Sequence, residues 1–383
     1  MSFDLSAATM PMFDAQIADL EELTALGRRR RLSARAGRDF SSNDYLGLAG
    51  SPRIAAAVTE AIRRGVPLGS GGSRLLRGNH AEHEQLEDQA VRFFGSESAL
   101  FFASGYAANA VLFSTLPQRG DLVVHDALVH ASAHEGLRSG RAERRSAMHN
   151  DPQAFADAIR AWRHAGGVGR VWIAVESLYS MDGDQAPLAA LADIAARHDA
   201  VLLIDEAHAT GVFGPDGRGL AAAYEGEENV ITLRTCGKAL GCEGALLCGP
   251  QIMRDFLINR GRAFIFSTAP SPLIAVAVRA ALGLLITEPE RRTRLHALIG
   301  HAQSVLARHD AAPTGSPITP IVLGDEARTM RAAERLQQAG FDVRGVRPPT
   351  VPAGTSRLRL SLTLNIGLDD VRALDDALGE ALI

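Results

Sequence analysis

From about residue 99 to residue 250, apolar runs of five or six residues alternate with longer stretches whose apolar positions recur every three or four residues. Runs of that length between turn residues read as strands buried on both faces of a parallel sheet. They predict strands over 99–103, 121–125, 171–176, 201–205, 230–235 and 244–248. Helical spacing predicts helices over 52–64, over 82–94 with Gly95 as the stop, and over 271–286. Repeated β–loop–α units mean an α/β fold, a mostly parallel sheet covered by helices. Beyond residue 271 the pattern changes: helix 290–308, strand 318–323, helix 327–339, strands near 341–346 and 357–364, and a last helix over 368–381. That order predicts a smaller α+β domain. Upstream, Ile17, Leu20, Leu23 and Leu26 make residues 14–31 one amphipathic helix ending in Arg28–Arg31. The polar stretch Phe40–Leu48 is a loop. The expected division is a helix-and-loop segment over 1–48, a large α/β domain over 49–270 and a small C-terminal domain over 271–383.

Such sheets bind ligands outside the carboxyl ends of their strands. The run Val201-Leu-Leu-Ile-Asp205 ends in a carboxylate, with His208 three positions on. The next strand, Asn229 to Thr235, leads to Lys238. Taken singly, Asp205 is the cap of a helix starting after the strand, His208 a satisfied histidine and Lys238 a solvated lysine. In this order they match two parts of a pyridoxal phosphate site: a lysine that forms the Schiff base and an aspartate that pairs with the pyridinium nitrogen. His130 and Ser180 also follow strands, so one crevice collects them. Ser104-Gly105-Tyr106 sits where a strand turns into a helix, a cradle for phosphate. Gly69-Ser-Gly-Gly-Ser-Arg74 lacks the Gly-Lys-Ser/Thr of a P-loop and reads as a flexible segment near a ligand.

Composition narrows the classes. A net charge of −4 over 383 residues gives no sign of a nucleic-acid partner. Cys236, Cys242 and Cys248 have neither metal-ligand spacing nor an even count, so they read as reduced thiols. His130 and His134 are spaced for one helix face, as in zinc sites, but no third ligand has matching spacing; no metal is expected. Met1–Ser6 lacks the basic and apolar regions of a signal peptide, and no run of eighteen apolar residues occurs. A cytoplasmic enzyme is expected.

The chain resembles the α-oxoamine synthases, pyridoxal-phosphate enzymes of fold type I that join an amino acid to an acyl thioester with loss of CO2. The resemblance runs from Ser42-Asn-Asp-Tyr-Leu-Gly-Leu48 to Arg357-Leu-Arg359. It includes His130-Ala-Ser132, Ser180-Met-Asp-Gly-Asp184, Asp205-Glu-Ala-His208, Thr235-Cys-Gly-Lys238 and Phe266-Ser-Thr268. It implies a mostly parallel, seven-stranded type of sheet with a smaller α+β domain. It makes Lys238 the cofactor lysine and Asp205 the partner of the ring nitrogen. His208 and Thr235 lie toward the ring hydroxyl and the phosphate, Ser180 lies beside the ring, and His130 stacks over it and reaches substrate. Gly105 and Tyr106, where many members carry Phe, form the phosphate cradle. Arg359 is placed for the amino-acid carboxylate, with Thr355 and Asn43 near the substrate. One arginine at the end of the first helix, taken as Arg28, touches the acyl group. Ser267 and Thr268 reach the phosphate of a neighbouring subunit in a homodimer.

The segment Arg347–Arg359 is most similar to members that condense L-alanine with a pimeloyl thioester, carried on coenzyme A or acyl carrier protein. Glycine acyltransferases of the same family share the lysine and aspartate motifs; amino-acid preference separates them. A non-catalytic protein that kept the fold would be favoured by loss of Lys238, which is present. A nicotinamide oxidoreductase fits less well, because no Gly-x-Gly-x-x-Gly follows an early strand.

Overall fold

The computed structural model describes residues 12–32 and 34–383. The reading of Met1–Ser6 falls outside the described residues. In chain order the first elements are α1 (Asp14–Ala25), β1 (Arg38–Asp39), α2 (Pro52–Arg63), α3 (Ala81–Phe94), β2 (Ser98–Phe102), α4 (Gly105–Thr115) and β3 (Leu122–Asp126). There follow α5 (Ala131–Ser139), β4 (Glu143–Ala147), α6 (Pro152–His164), β5 (Val171–Glu176), α7 (Leu188–Arg197), β6 (Ala200–Asp205), β7 (Val230–Thr235) and β8 (Ala245–Gly249). The chain continues with α8 (Gln251–Arg260), α9 (Arg262–Ile265), α10 (Pro272–Thr287), α11 (Glu290–Leu306), β9 (Ile318–Gly324) and α12 (Glu326–Gln338). It ends with β10 (Phe341–Asp342), β11 (Arg344–Val346), β12 (Ser356–Ser361) and α13 (Leu368–Ala381).

Seven strands form the main sheet in the order β2-β8-β7-β6-β5-β3-β4. All neighbours are parallel except β8, which is antiparallel to β2 and β7. Alternate residues leave opposite faces. Ala174, Leu203, Leu233 and Leu247 pack with α4, α5 and α8; Ile173, Leu202 and Ile204 pack with Phe155, Ile159 and Leu191 of α6 and α7. Both faces are therefore dry, which is why β6 reads as an unbroken apolar run. Each such Leu or Ile contributes about 1.5–3 kcal/mol by leaving water.

Local chemistry sets the ends. Gly95 stops α3 in a left-handed conformation, φ +86°, where any other residue would strain. Ser51 caps α2 by accepting from the Ile54 N–H, and Pro52 sits in the first turn, where its missing N–H costs nothing.

A second sheet, β11-β12-β9, is antiparallel. β1 pairs with β10, which ties the chain before Phe40 to the C-terminal part. The Ser361 N–H donates to the Phe40 carbonyl (2.8 Å) and the Leu364 N–H to that of Tyr45 (3.0 Å). The Asn43 loop is thereby laid beside β12.

The structure corrects the expected helix over 14–31. It stops at Ala25, Gly27 turns the chain at φ +64°, and the arginines lie beyond it. No residue of α1 is buried. Several elements lie where no strand or helix is expected, among them β4 and α6. β4, Glu-Arg-Arg-Ser-Ala, is an edge strand paired only with β3, so it needs no apolar pattern. α6 begins at the Asp151 cap, which accepts from the N–H groups of Gln153 and Ala154. Among the described residues no single helix is long and apolar enough to cross a membrane; α10 and α11 together pass only across a 75° bend. α10 is apolar because it is buried between α2 and α3.

Candidate active site

Glu176 is level with Asp205, and Asp205 with Leu233, on adjacent parallel strands. Level residues leave a sheet on the same face. That face is covered by α4 and α5, whose N-termini meet the strand ends. Glu176, Asp205 and Thr235 thus open into one crevice.

Asp205 does two jobs. Its Oδ1 accepts the Ala207 N–H (2.9 Å), the turn-capping bond; its Oδ2 accepts from Asn109 Nδ2 (2.8 Å). The same Asn109 amide donates to Ser132 Oγ (3.0 Å), which lies 2.7 Å from His130 Nδ1. His130 caps α5. Partial dehydration lowers its proton affinity, Asp205 opposes this, and Lys238 lowers it further.

Lys238 lies in the turn between β7 and β8. Lost hydration pulls its pKa down to about 8, against the opposing charges of Asp205 and Glu176, and Arg359 lowers it further. Glu176 is 3% exposed, and its Oε1 has no hydrogen-bond partner among the described residues. Burial pushes its pKa up to about 8, helped by the charge of Asp205; Lys238 and the backbone N–H groups of Ser180 and His130 resist. The crevice therefore holds an amine near neutrality and a carboxyl that keeps its proton.

His208 is buried, with Nδ1 2.6 Å from the Tyr45 hydroxyl. Burial, Lys238, Arg359 and His130 hold it well below the usual histidine range, so it is neutral. Tyr45, also buried, is pushed up to about 12 and keeps its proton. Its hydroxyl donates to Asn43 Oδ1 (3.1 Å), which also accepts from Arg359 Nη2 (3.1 Å). Arg359 Nε donates to the Ser180 carbonyl (2.6 Å) and Nη1 to Ser361 Oγ (2.6 Å). Arg359 is 7% exposed and, among the described residues, is hydrogen-bonded only to neutral oxygens, whereas Arg357, two residues earlier, is ion-paired with Asp182. A buried guanidinium without a counter-ion is costly unless an anion joins it.

Thr235 Oγ1 is 3.4 Å from the Gly237 N–H and from the Gly244 carbonyl. A Cβ added to Gly105 would lie 3.7 Å from that hydroxyl, so the start of α4 is set against Thr235. Ser104 caps α4 by accepting from the Ala107 N–H, and Tyr106 is exposed beside it. Free N–H groups at this helix start face outward, as anion binding requires.

Lys238, Asp205, His130, His208, Ser180, Asn43 and Arg359 are thus brought together. Thr355 is not tied into this network: its hydroxyl donates to the Pro352 carbonyl (2.7 Å). Arg28 is corrected. Its Nε donates to Glu326 Oε2 (2.8 Å) and its Nη2 to Oε1 (2.5 Å), which occupies the fork. Arg30 instead lines a cavity of about 700 Å³ with His130, Tyr179, Ser180 and the segment Pro348–Ala353. The Gly69–Arg74 segment is tied down: Ser70 Oγ donates to the Pro270 carbonyl (2.6 Å), and Arg74 pairs with Glu87 (2.7 Å). His134 lines the same cavity as His130, and its ring meets that of His125 edge-on at 5.1 Å.

Sequence reasoning missed Glu176, Asn109, Ser132 and Tyr45 as site residues. Two carried a signal. Glu176 ends an apolar strand just as Asp205 does, and Asn109 is one helical turn beyond Gly105, on the same side of α4.

Comparison with known proteins agrees with this geometry. Residues 37–371 match the family described as aminotransferase class I and II. An 8-amino-7-oxononanoate synthase of Anaeromyxobacter dehalogenans is 44% identical over 362 residues, 90% of each chain. One from Chromobacterium violaceum is 40% identical over 376 residues, 94% of this chain and 96% of its own. Among solved structures, serine palmitoyltransferase from S. paucimobilis with bound PLP has a TM-score of 0.86 at 27% identity, over 96% of this chain and 97% of its own. The 8-amino-7-oxononanoate synthase from Francisella tularensis has a TM-score of 0.76 at 27% identity, over 90% and 97%. Sequence match, sheet order and the lysine–aspartate crevice agree: the chain belongs to the class I and II aminotransferase family, among its α-oxoamine synthases.

Proposed function

We propose that this enzyme condenses L-alanine with a pimeloyl thioester, with loss of CO2, to give 8-amino-7-oxononanoate for biotin synthesis. The observation that carries the reading is Arg359, a buried guanidinium with no carboxylate partner among the described residues, placed beside a near-neutral Lys238. The similarity to named synthases at 40–44% identity supports the choice of substrates.

The residues suit pyridoxal 5'-phosphate. Lys238 would hold its aldehyde carbon and Asp205 its ring nitrogen. The neutral His208, with Ser180, would face the ring hydroxyl, and His130 the ring plane. Thr235, Gly105 and the N–H groups opening α4 would take the phosphate, with Tyr106 at the rim. Bound there, the cofactor supplies an electron sink for the substrate's α-carbon. Lys238, close to neutral, removes the α-proton and later returns it. Asp205 keeps a proton on the ring nitrogen. Arg359 presents a planar fork to the alanine carboxylate, a geometry a lysine lacks, and Asn43 fixes that fork. Thr355 and the Pro348–Ala353 segment border the acyl side.

The cavity of about 700 Å³ is roomy for a pimeloyl chain, and Arg30 on its wall is the cation for the far carboxylate or for an acidic carrier surface. Coenzyme A and acyl carrier protein are both suitable carriers. A homodimer is supported by exposed apolar side chains: Leu68, Leu76, Tyr106 and Phe266 are 77%, 84%, 54% and 72% exposed. Ser267 and Thr268 beside Phe266 would reach the partner's phosphate. Segments 1–48, 49–270 and 271–383 then act as substrate cover, cofactor domain and carboxylate domain of a cytoplasmic enzyme.

The test is CO2 release with each pairing of alanine or glycine with pimeloyl, succinyl or acetyl thioester. Alanine with the pimeloyl thioester is the expected pair. Turnover of glycine with a short thioester, and none of alanine with the pimeloyl one, would reassign the activity.

A further inference from the structure

Beside the crevice lies a second charged cluster, Asp126, His149, Asn150 and Asp184, to which none of the roles above is assigned. It joins three segments: Asp126 at the end of β3, His149 and Asn150 between β4 and α6, and the turn Tyr179–Asp184 after β5. His149 Nδ1 is 2.9 Å from Asp126 Oδ1, and its Nε2 is 2.8 Å from Asp184 Oδ2. A carboxylate only accepts, so two such bonds need a proton on both ring nitrogens. The geometry alone makes His149 an imidazolium. Asn150 repeats the bridge: its backbone N–H donates to Asp126 Oδ2 (2.8 Å) and its Nδ2 to Asp184 Oδ2 (2.7 Å). Asp126 is fully buried, and its Oδ1 also accepts the Leu128 N–H (2.8 Å). The remaining titratable neighbour is Tyr179, whose ring meets His149 edge-on at 4.4 Å and whose hydroxyl is buried. Burial and Asp126 raise that hydroxyl's pKa, so it stays neutral. The two carboxylates raise His149 to about 10 despite partial burial, in accord with the geometry.

The pinned turn supports the second sheet. The Tyr179 N–H donates to the Asp184 carbonyl (2.9 Å) and the Gly183 N–H to that of Tyr179 (2.9 Å), closing the turn. A Cβ on Gly183 would lie 2.4 Å from the Ile318 carbonyl, so the turn packs directly on β9. Its Asp182 pairs with Arg357, and its Ser180 carbonyl accepts from Arg359 Nε at 2.6 Å. Both arginines lie on β12.

We infer that His149 is a positioning residue for the amino-acid carboxylate. Its imidazolium clamps the Ser180–Asp184 turn to Asp126, and that turn sets the direction of the Arg359 fork. The inference rests on reading Arg359 as the carboxylate ligand. Small misplacements of a binding group are expensive, up to about a hundredfold for an ångström-scale shift.

The experiment uses the cofactor-loaded enzyme with His149→Gln, Asp184→Asn and Arg359→Lys variants. Alanine affinity is read from the change in cofactor absorbance, and KM from turnover for both substrates. In His149→Gln the alanine dissociation constant should rise about tenfold or more, and by clearly more than the thioester KM, because the turn carries the Arg359 fork but is only one wall of the acyl cavity. Asp184→Asn, which keeps its shape, should fall between this variant and wild type. Nitrogen-15 NMR of labelled histidines should show His149 protonated on both nitrogens at pH 8, which a purely structural neutral histidine would not be. A neutral His149, unchanged alanine affinity, or equal losses for both substrates would overturn the inference. If His149→Gln fails to fold, Asp184→Asn and the NMR signature decide the matter. If Arg359→Lys leaves alanine affinity intact, the carboxylate reading itself has failed; if only the Arg359 variant loses affinity, the clamp alone is refuted.

Discussion

Replacing Glu176 with Gln should remove a pH-dependent weakness from the folded protein. Glu176 is level with Asp205, 3% exposed, and leaves one oxygen without a partner among the described residues. Its pKa rises from an ordinary 4.5 to about 8, chiefly through burial. Below the unfolded value both states hold the proton, and the residue contributes nothing to pH dependence. Between that value and the folded one, only the folded state keeps the proton. Folding stability therefore falls as pH rises through this window. At roughly 1.4 kcal/mol per pH unit, the ceiling is about 5 kcal/mol. The value of about 8 already includes the attraction of Lys238, so on the order of 4 kcal/mol applies at pH 8. Lys238 has the opposite sign: its depressed pKa makes stability rise between about 8 and its ordinary 10.5. Glutamine imitates the protonated acid. The variant should match wild type near pH 5 and be the more stable protein at pH 8. The assay is urea unfolding of cofactor-free protein between these limits, at one fixed protein concentration, with the slope checked for constancy. Parallel profiles for the two proteins would refute the reasoning, because Glu176 would then be ionised in the folded state at no cost.

Three further outcomes are expected. Asp205→Asn should retain cofactor but lose at least about a hundredfold in turnover, the low end for a group that manages a proton in the reaction; near-normal turnover would show that the ring nitrogen is not held there. Borohydride reduction and peptide mapping should place the pyridoxyl group on Lys238, and Lys238→Ala should abolish turnover while the circular dichroism spectrum is kept; a label on another lysine would move the site. Mixing inactive Lys238→Ala protein with an inactive Thr268→Ala variant should restore part of the activity if Thr268 serves the partner's crevice, whereas an active monomer at assay concentration would rule out sharing.

Much of the fold was legible because burial leaves a periodic trace. β5, β6 and β7 are covered on both faces, so their apolar runs marked them, and Gly95 marked the end of α3. β4 was silent because an edge strand has one neighbour and keeps its charges in water. Asp205, His208 and Lys238 were legible because they follow strands at fixed offsets, and a parallel sheet gathers such positions at one end. Tertiary structure alone decided the rest. Which of four adjacent arginines faces the cavity depends on where α1 stops and on Glu326, some three hundred residues away, taking Arg28. That Arg359 is an unpaired cation while Arg357 is a paired one depends on the Ser180–Asp184 turn meeting β12. The proton on Glu176 and the neutrality of His208 come from dehydration and from charges on other strands. Sequence fixes a residue's chemistry and its offset along an element. Its charge state and its partners depend on what packs against it, and those partners are distant in the chain.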